Sequence, residues 1–300
     1  MSIEMNIAKK IYHHLYKRDV DSTLNIFLCG ADTGRKDSFR YLLNTEFQKN
    51  ARFNVVYPEF LFATLLNRKE NNLLELEDEL AKYVDVIIIP LEGYGTLAEI
   101  GAFTVNKKLL PKIIAINESK YKNTKSFINL GPLDLIKRNN PKNLVYFNKG
   151  RESEILDSLV EGISKKRIEK KYSYDLENIF NLSRYVFYLI SIFQPLTKER
   201  IIEMLNGLTS EIKDQKIKMK FIDASIQILI QKNRIEIDIS SDFKEIFSLT
   251  TDGHSYVYEE LLPKLSIVQE FTKIRLQIIN NRNKGKKKNM DKELKLLELK

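Results

Sequence analysis

The segment PLEGYGTLAEIGAF, Pro90–Phe103, sets Gly93, Gly95, Gly101, Thr96 and Glu99 directly behind the apolar run DVIII. Each residue type has a use there. Gly93 and Gly95 allow tight turning and close approach of backbone N–H groups to a ligand, and they permit positive φ. A helix opening at Thr96 or Leu97 would offer its free N–H groups to an anion such as phosphate. Thr96 could cap that helix or bond a phosphate oxygen. Glu99 follows Thr96 by three residues, which is the T-x-x-E spacing of a capping box, so a purely structural role for the pair is open. The alternative is chemical. A carboxylate beside a phosphate cradle can stabilise, or attack, the oxocarbenium-like carbon formed when a base–sugar bond breaks. The spacing is neither the dinucleotide G-x-G-x-x-G nor a Walker loop.

Such a loop needs a strand to carry it. NIFLCG (Asn25–Gly30), RFNVVYP (Arg52–Pro58), VDVIIIP (Val84–Pro90), KIIAIN (Lys112–Asn117) and NLVYF (Asn143–Phe147) are apolar runs ending at or beside Gly, Pro or Asn. Runs of this kind fit strands buried on both faces of a parallel sheet. KDSFRYLLNTEFQKN, NLLELEDELAKYV and TLAEIGAFTVNKK lie between them with helical periodicity. Strand alternating with helix predicts a doubly wound, Rossmann-like α/β domain over residues 20–165, after an N-terminal helix over 1–19. Ligands bind at the C-terminal strand ends of such sheets. Gly30–Gly34, Tyr57–Glu59 and Leu91–Thr96, Tyr94 among them, are expected on that edge. Cys29 is the one cysteine in the chain and is read as a core residue.

From Ile163 the pattern changes. SKKRIEKKYSYD is a basic connector, LENIFNLSRYVFYLISIFQ reads as a buried helix, and Thr197 in PLTKERIIEMLNG is a helix cap with Arg200 at N3. KMKFIDASIQILIQKNRIEID reads as a helix running into a strand. FSLTTDGHSYVYEELL reads as a strand, a turn at Asp252-Gly253 and a helix. This order predicts a C-terminal helical winged-helix domain over residues 166–281. Lys213, Lys216, Lys218, Lys220, Lys232 and Arg234 flank its second helix and are candidate phosphate contacts. A basic tail, expected to be solvated or disordered, completes the chain over residues 282–300.

The 300-residue chain has a formal charge of +9, which favours polyanionic partners such as nucleic acid. One cysteine gives no disulfide within the chain, and the three histidines have no companion Cys pair, so no metal site is expected. The N-terminal stretch lacks the apolar core of a signal peptide, and no apolar run reaches the length of a membrane span. A cytoplasmic protein is expected.

The region around GTLAEIGAF resembles the nucleoside 2-deoxyribosyltransferases, whose nucleophilic glutamate sits in G-x-x-x-E-[IL]-G, and it is similar to the GGxGTxxE loop of phosphoribohydrolases. Across most of the chain, IFLCGAD, VYPEFLF, YVDVIIIP, GTLAEIGAF, SFINLGP and the C-terminal segment, in that order, resemble the deoxyribosyltransferase-like effectors of bacterial retron operons. The resemblance implies an antiviral toxin, partnered by a reverse transcriptase and its msDNA, that breaks the N-glycosidic bond of a nucleotide such as NAD. It implies Glu99 as nucleophile, and Gly93, Gly95 and Thr96 as the phosphate or ribose cradle, with Gly30 and Asp32 facing the same cleft. Asp32 could bond a ribose hydroxyl or serve an Asx-turn. Glu59 could bond a sugar hydroxyl or base edge, or cap the next helix. Glu77 lies near the place of an acidic base-binding residue, or on a solvated helix face. Asn129 is expected to reach the site from a loop. NAD or another nucleotide would be substrate, with no cofactor. A homo-oligomer follows by analogy.

One departure stands out. The transferases carry an aspartate six residues before the nucleophile to hold or protonate the base, and this chain has Gly93 there. Hydrolysis by water is therefore favoured over transfer to a second base. A true transferase, and a DNA-binding regulator whose α/β domain only senses a nucleotide, are the alternatives.

Overall fold

A computed structural model describes residues 3–19, 23–31, 34–50, 52–57, 83–165, 174–209, 217, 219–265 and 267–297. By its internal contacts the chain divides into two units, Asp21–Ser173 and Met1–Val20 together with Tyr174–Lys300.

The first unit is built on five parallel strands: β1 (Leu24–Leu28), β2 (Phe53–Val56), β3 (Val86–Pro90), β4 (Ile113–Glu118) and β5 (Leu144–Phe147). Every residue of β1 and β3 is buried, and all but Glu118 of β4, so these runs show no polar face. The spatial order is β2-β1-β3-β4-β5. Ile26, Phe27 and Leu28 pair with Val86, Ile87 and Ile88, which makes β1 and β3 neighbours although β2 lies between them in sequence. The order reverses at that pair, and a crevice opens at such a switch point beyond the C-terminal strand ends.

The helices follow from local signals. Ser38 accepts the Tyr41 N–H and starts α2 (Phe39–Gln48). Other helices are α3 (Tyr94–Thr104), the short α4 (Phe127–Leu130), α5 (Pro132–Asn139) and α6 (Ser153–Ser164). One sheet face presents Leu24, Ile26, Leu28, Val86, Ile88, Ile114 and Ile116 to Phe39, Leu43 and Phe47 of α2 and Leu156, Leu159 and Ile163 of α6. On the other face Phe27 meets Phe103 of α3, with ring centroids 6.3 Å apart. The expected doubly wound sheet is present. The expected helix over NLLELEDELAKYV lies outside the described residues.

In the second unit α1 (Ile3–His14) packs with α7 (Ile179–Phe193), α8 (Lys198–Thr209) and α12 (Val268–Leu297). Tyr185 donates its hydroxyl to the Ala8 carbonyl at 3.0 Å, and Arg184 pairs with Asp19. Helix α7 is buried along almost its whole length, as its apolar sequence predicts. β6 (Leu196–Thr197) precedes α8, whose Arg200 N–H is accepted by Thr197. Then come α9 (Met219–Gln231), β7 (Ile235–Ile239) and β8 (Glu245–Leu249), in an antiparallel sheet of order β6-β8-β7. α10 (Thr251–Ser255), a π-helical turn (Tyr256–Leu261) and α11 (Leu262–Leu265) lead to α12.

Two local expectations change. Asp252-Gly253 is not a turn: Thr250 accepts the Gly253 N–H at 2.9 Å, and the pair opens α10. The chain reversal between β7 and β8 falls at Ser240–Lys244, where Phe243 takes φ 58°. The basic segment after Arg282, expected to be solvated or disordered, continues α12 as helix to Leu297.

Candidate functional site

Glu99 stands on α3, whose first residue is Tyr94, immediately after β3. It is half-buried, and its Oε2 is withdrawn from solvent. The carboxylate lies one helical turn beyond Gly95, on the same face, and helical side chains lean toward the N-terminus. At Gly95 a Cβ would meet nothing within 4 Å. The missing side chain thus leaves open space one turn ahead of Glu99 along the helix.

The helix begins earlier than the T-x-x-E spacing suggests. Gly93 is the N-cap and Thr96 the N3 residue. The Thr96 hydroxyl accepts the Gly93 N–H at 3.3 Å and donates to the Gly93 carbonyl at 2.8 Å, so it secures the first turn from within. Glu99 is therefore in the second turn and takes no part in a capping box. The N–H groups of Tyr94, Gly95 and Thr96 are the leading donors of α3 and carry the positive end of its dipole. Gly93 is extended, with φ −165°, and neither it nor Gly95 takes positive φ; their value is open space, since a Cβ at Gly93 also meets nothing within 4 Å.

Positive φ occurs instead at Gly30, at 149°. A Cβ there would stand 2.7 Å from carbons of the Arg40 side chain. Arg40, the second residue of α2, is 1% exposed and was not expected from the sequence to join the site. It gathers the C-terminal ends of three strands. Its Nη1 donates to the Ala31 carbonyl after β1 at 2.8 Å. Its guanidinium lies 4.5 Å from the centroid of the Tyr57 ring after β2. Its backbone N–H donates to Glu92 Oε1 after β3 at 3.1 Å. Burial pushes the Glu92 carboxyl above the usual carboxylate range, while hydrogen bonds from the Arg40, Phe39 and Ala31 backbone and the charge of Arg35 act the other way. An arginine within an amphipathic helix reads as solvated. The usable signals were its place just inside the Ser38 cap and the carboxylate directly after the buried strand β3.

The remaining candidates divide. Gly30, Tyr57, Gly93, Tyr94, Gly95 and Thr96 do fall on the C-terminal edge, Tyr94 being 94% exposed. Asp32, Glu59 and Glu77 lie outside the described residues, as do Lys213, Lys216 and Lys218. Asn129 is not in a loop but in α4; its Nδ2 donates to the Tyr121 and Thr124 carbonyls at 2.6 Å each, which ties it to its own turn. Cys29 is fully buried in the core. Among the described residues no cluster of His, Cys, Asp and Glu could hold a metal, and no helix is long and apolar enough to cross a membrane.

In the second unit Lys220, half-buried, and Lys232, exposed, lie at opposite ends of α9, about 18 Å apart by helical rise. Arg234 stacks on Tyr256 at 3.8 Å. Between them α9 buries Phe221 through Ile226, Ile228 and Leu229, on all sides of the helix.

The first unit is thus a doubly wound α/β domain with a carboxylate set behind a helix N-terminus at its switch point. The chain belongs to the STM3845 retron effector protein family, whose model matches residues 36–237. It is 30% identical over 296 residues to the Retron Ec86 putative ribosyltransferase/DNA-binding protein of Escherichia coli, covering 93% of this chain and 92% of that one. It is 31% identical over 279 residues to the Retron Ec73 putative ribosyltransferase/DNA-binding protein of the same organism, covering 79% of this chain and 88% of that one.

Proposed function

We propose that this retron effector is an N-glycosidase that hydrolyses the base–sugar bond of a nucleotide, NAD foremost, and that a reverse transcriptase with its msDNA controls it in anti-phage defence. The observation that carries the reading is the position of Glu99, one turn behind the open N-terminus of α3 at the β1/β3 switch point. The ribosyltransferase names of the two relatives support the chemical class.

In this mechanism the α3 N–H groups hold a phosphate and orient the sugar. The Glu99 carboxylate attacks C1′ as the C1′–N bond breaks, and the bonding pair leaves with the base. Water then attacks C1′, the glycosyl–Glu99 bond breaks, and the proton of that water passes to solvent. Nicotinamide in NAD is bonded through a cationic ring nitrogen, so it departs as a neutral molecule without being protonated. A chain with Gly93 in place of the base-holding aspartate suits such a leaving group better than a neutral base, which needs an acid.

We read the second unit as a winged-helix module, supported by the order α7, β6, α8, α9, β7, β8 and the three-stranded sheet. Because α9 buries its length, nucleic acid in this reading is held through phosphates by charges such as Lys220 and Lys232, not read by a helix face in a groove.

The test is to incubate the effector, with its reverse transcriptase and msDNA, with a panel of nucleotides and to chromatograph the released bases. Nicotinamide release by the wild type and its loss in Glu99→Gln are expected. Intact nucleotides throughout would favour a nucleotide-sensing DNA-binding regulator. Exchange with an added free base would favour a transferase.

A further inference from the structure

The β7–β8 hairpin has a surface at odds with the charge of the chain. The protein carries +9, yet Glu236, Asp238, Asp242 and Glu245 crowd this ribbon, with Lys244 as its single cation. All four carboxylates are exposed, and among the described residues none is paired with a cation. Between them three large apolar side chains are also in water: Ile237 at 43%, Ile239 at 66% and Phe243 at 92% exposure. Four of the five residues of β7 are exposed, so this strand is open on both faces from Glu236 onward, while its neighbour β8 buries Phe247 and Leu249. β7 is moreover the edge of its sheet.

β8 is the middle strand of this sheet and is anchored by β6 and its own buried Phe247 and Leu249, from which β7 and the tip project. Charges on an edge strand ordinarily guard it against unwanted pairing. Solvation accounts for the carboxylates alone, but not for Phe243 at the tip or for Ile237 and Ile239 on one face of β7. Apolar anchors rimmed by unneutralised charge are the composition of a protein-docking patch. The sign of the rim selects the partner. Carboxylates repel nucleic-acid phosphates and attract lysine and arginine.

We propose that the β7–β8 hairpin docks the effector onto a basic protein surface, with Ile239 and Phe243 seated in an apolar recess and the carboxylates facing cations around it. The partner is taken from the reading above: a reverse transcriptase, whose hold on a polyanion requires a basic surface. The hairpin would thus contact the protein of the complex rather than its nucleic acid.

The experiment measures binding of the full-length effector to its purified reverse transcriptase, over a series of salt concentrations. One variant reverses charge, Asp238→Lys with Glu245→Lys; a second removes the apolar anchors, Ile239→Thr with Phe243→Ser. Thermal melts check that both fold. Each variant is expected to lower affinity by tenfold or more, and charge reversal is also expected to flatten the salt dependence. The proposal is overturned if both variants bind like the wild type, or if the wild type does not bind the polymerase. It is equally overturned if the variants lose only binding to msDNA, or only self-association in sedimentation. Glu99→Gln separates the two readings: it should bind the polymerase like the wild type, whether or not it proves inactive on nucleotides.

Discussion

Glu92 Oε1 accepts the backbone N–H of Arg40 at 3.1 Å, which fastens the loop after β3 to the first turn of α2. The switch point is therefore closed from beneath by a carboxylate and a buried arginine that also holds Ala31 and Tyr57. Glu92 sits at a helix N-terminus, where a negative charge is favoured, but burial raises its pKa more than these contacts lower it.

The sign of that shift sets a pH dependence. A carboxyl whose pKa is higher folded than unfolded stabilises the protein at low pH, and this contribution is lost as pH rises through the folded pKa. Glu92→Gln keeps an oxygen to accept the Arg40 N–H and removes the cost of burying the charge. The melting temperature of the variant relative to wild type should therefore rise as pH increases upward from the ordinary carboxylate range, about pH 4. A difference that is flat or falls with pH would show that Glu92 is stabilised as an anion.

Gly30→Ala tests the packing of the clamp. The new methyl group would meet the Arg40 side chain at 2.7 Å, on a backbone of φ 149°. The methylenes of a buried arginine held at both ends have little freedom to withdraw. Strain and overpacking together should cost about 2–4 kcal/mol. Chemical denaturation measures the loss, and a variant as stable as wild type would mean that the loop after β1 yields.

Much of the first unit is legible in the sequence, because a strand buried on both faces leaves an unbroken apolar run and each run here stops at a turn residue. α3 starts at Tyr94, ahead of the Thr96 or Leu97 that the sequence suggests: T-x-x-E marks a capping box only if threonine is the cap, and here the open backbone of Gly93 takes that place. The hairpin reversal at Ser240–Lys244 contains no glycine to mark it, while Asp252-Gly253 has turn-type residues but lies in a helix that Thr250 caps. Arg40 was illegible for a different reason. Its burial depends on partners from three separate loops, the Ala31 carbonyl, the Tyr57 ring and the Glu92 carboxylate on its backbone N–H, and no local pattern records them.

Glu99 and Gly95 give a prediction in which stability and activity part. Gly95→Ala places a methyl group in open space inside a helix. Alanine is the better helix former by about 0.5–1 kcal/mol, so the variant should melt higher than wild type. If substrate occupies that space beside Glu99, turnover should nonetheless fall about tenfold or more, with binding weakened. Glu99→Gln should lose about 100-fold or more in turnover while retaining nucleotide affinity. Full activity in Gly95→Ala would move the substrate elsewhere.

In the proposed mechanism Gly93 is the position expected to separate hydrolysis from transfer. Its backbone is extended at φ −165°, a conformation open to any residue, and a Cβ there meets nothing within 4 Å. Aspartate is at least as good a helix cap as glycine, by a few tenths of a kcal/mol, so Gly93→Asp should fold normally. It restores a carboxyl where the resembling transferases keep the group that holds or protonates the base. A neutral base leaves only if it is protonated, and an incoming base must be held while it attacks. Wild type should therefore release nicotinamide from NAD but leave deoxynucleosides and free bases unexchanged, whereas Gly93→Asp should gain measurable cleavage and base exchange on neutral nucleosides. Isotope-labelled adenine incubated with deoxynucleoside and followed by chromatography reports the exchange. Exchange already present in the wild type would mean that an acid from another part of the chain serves the base, and that the glycine does not set the outcome.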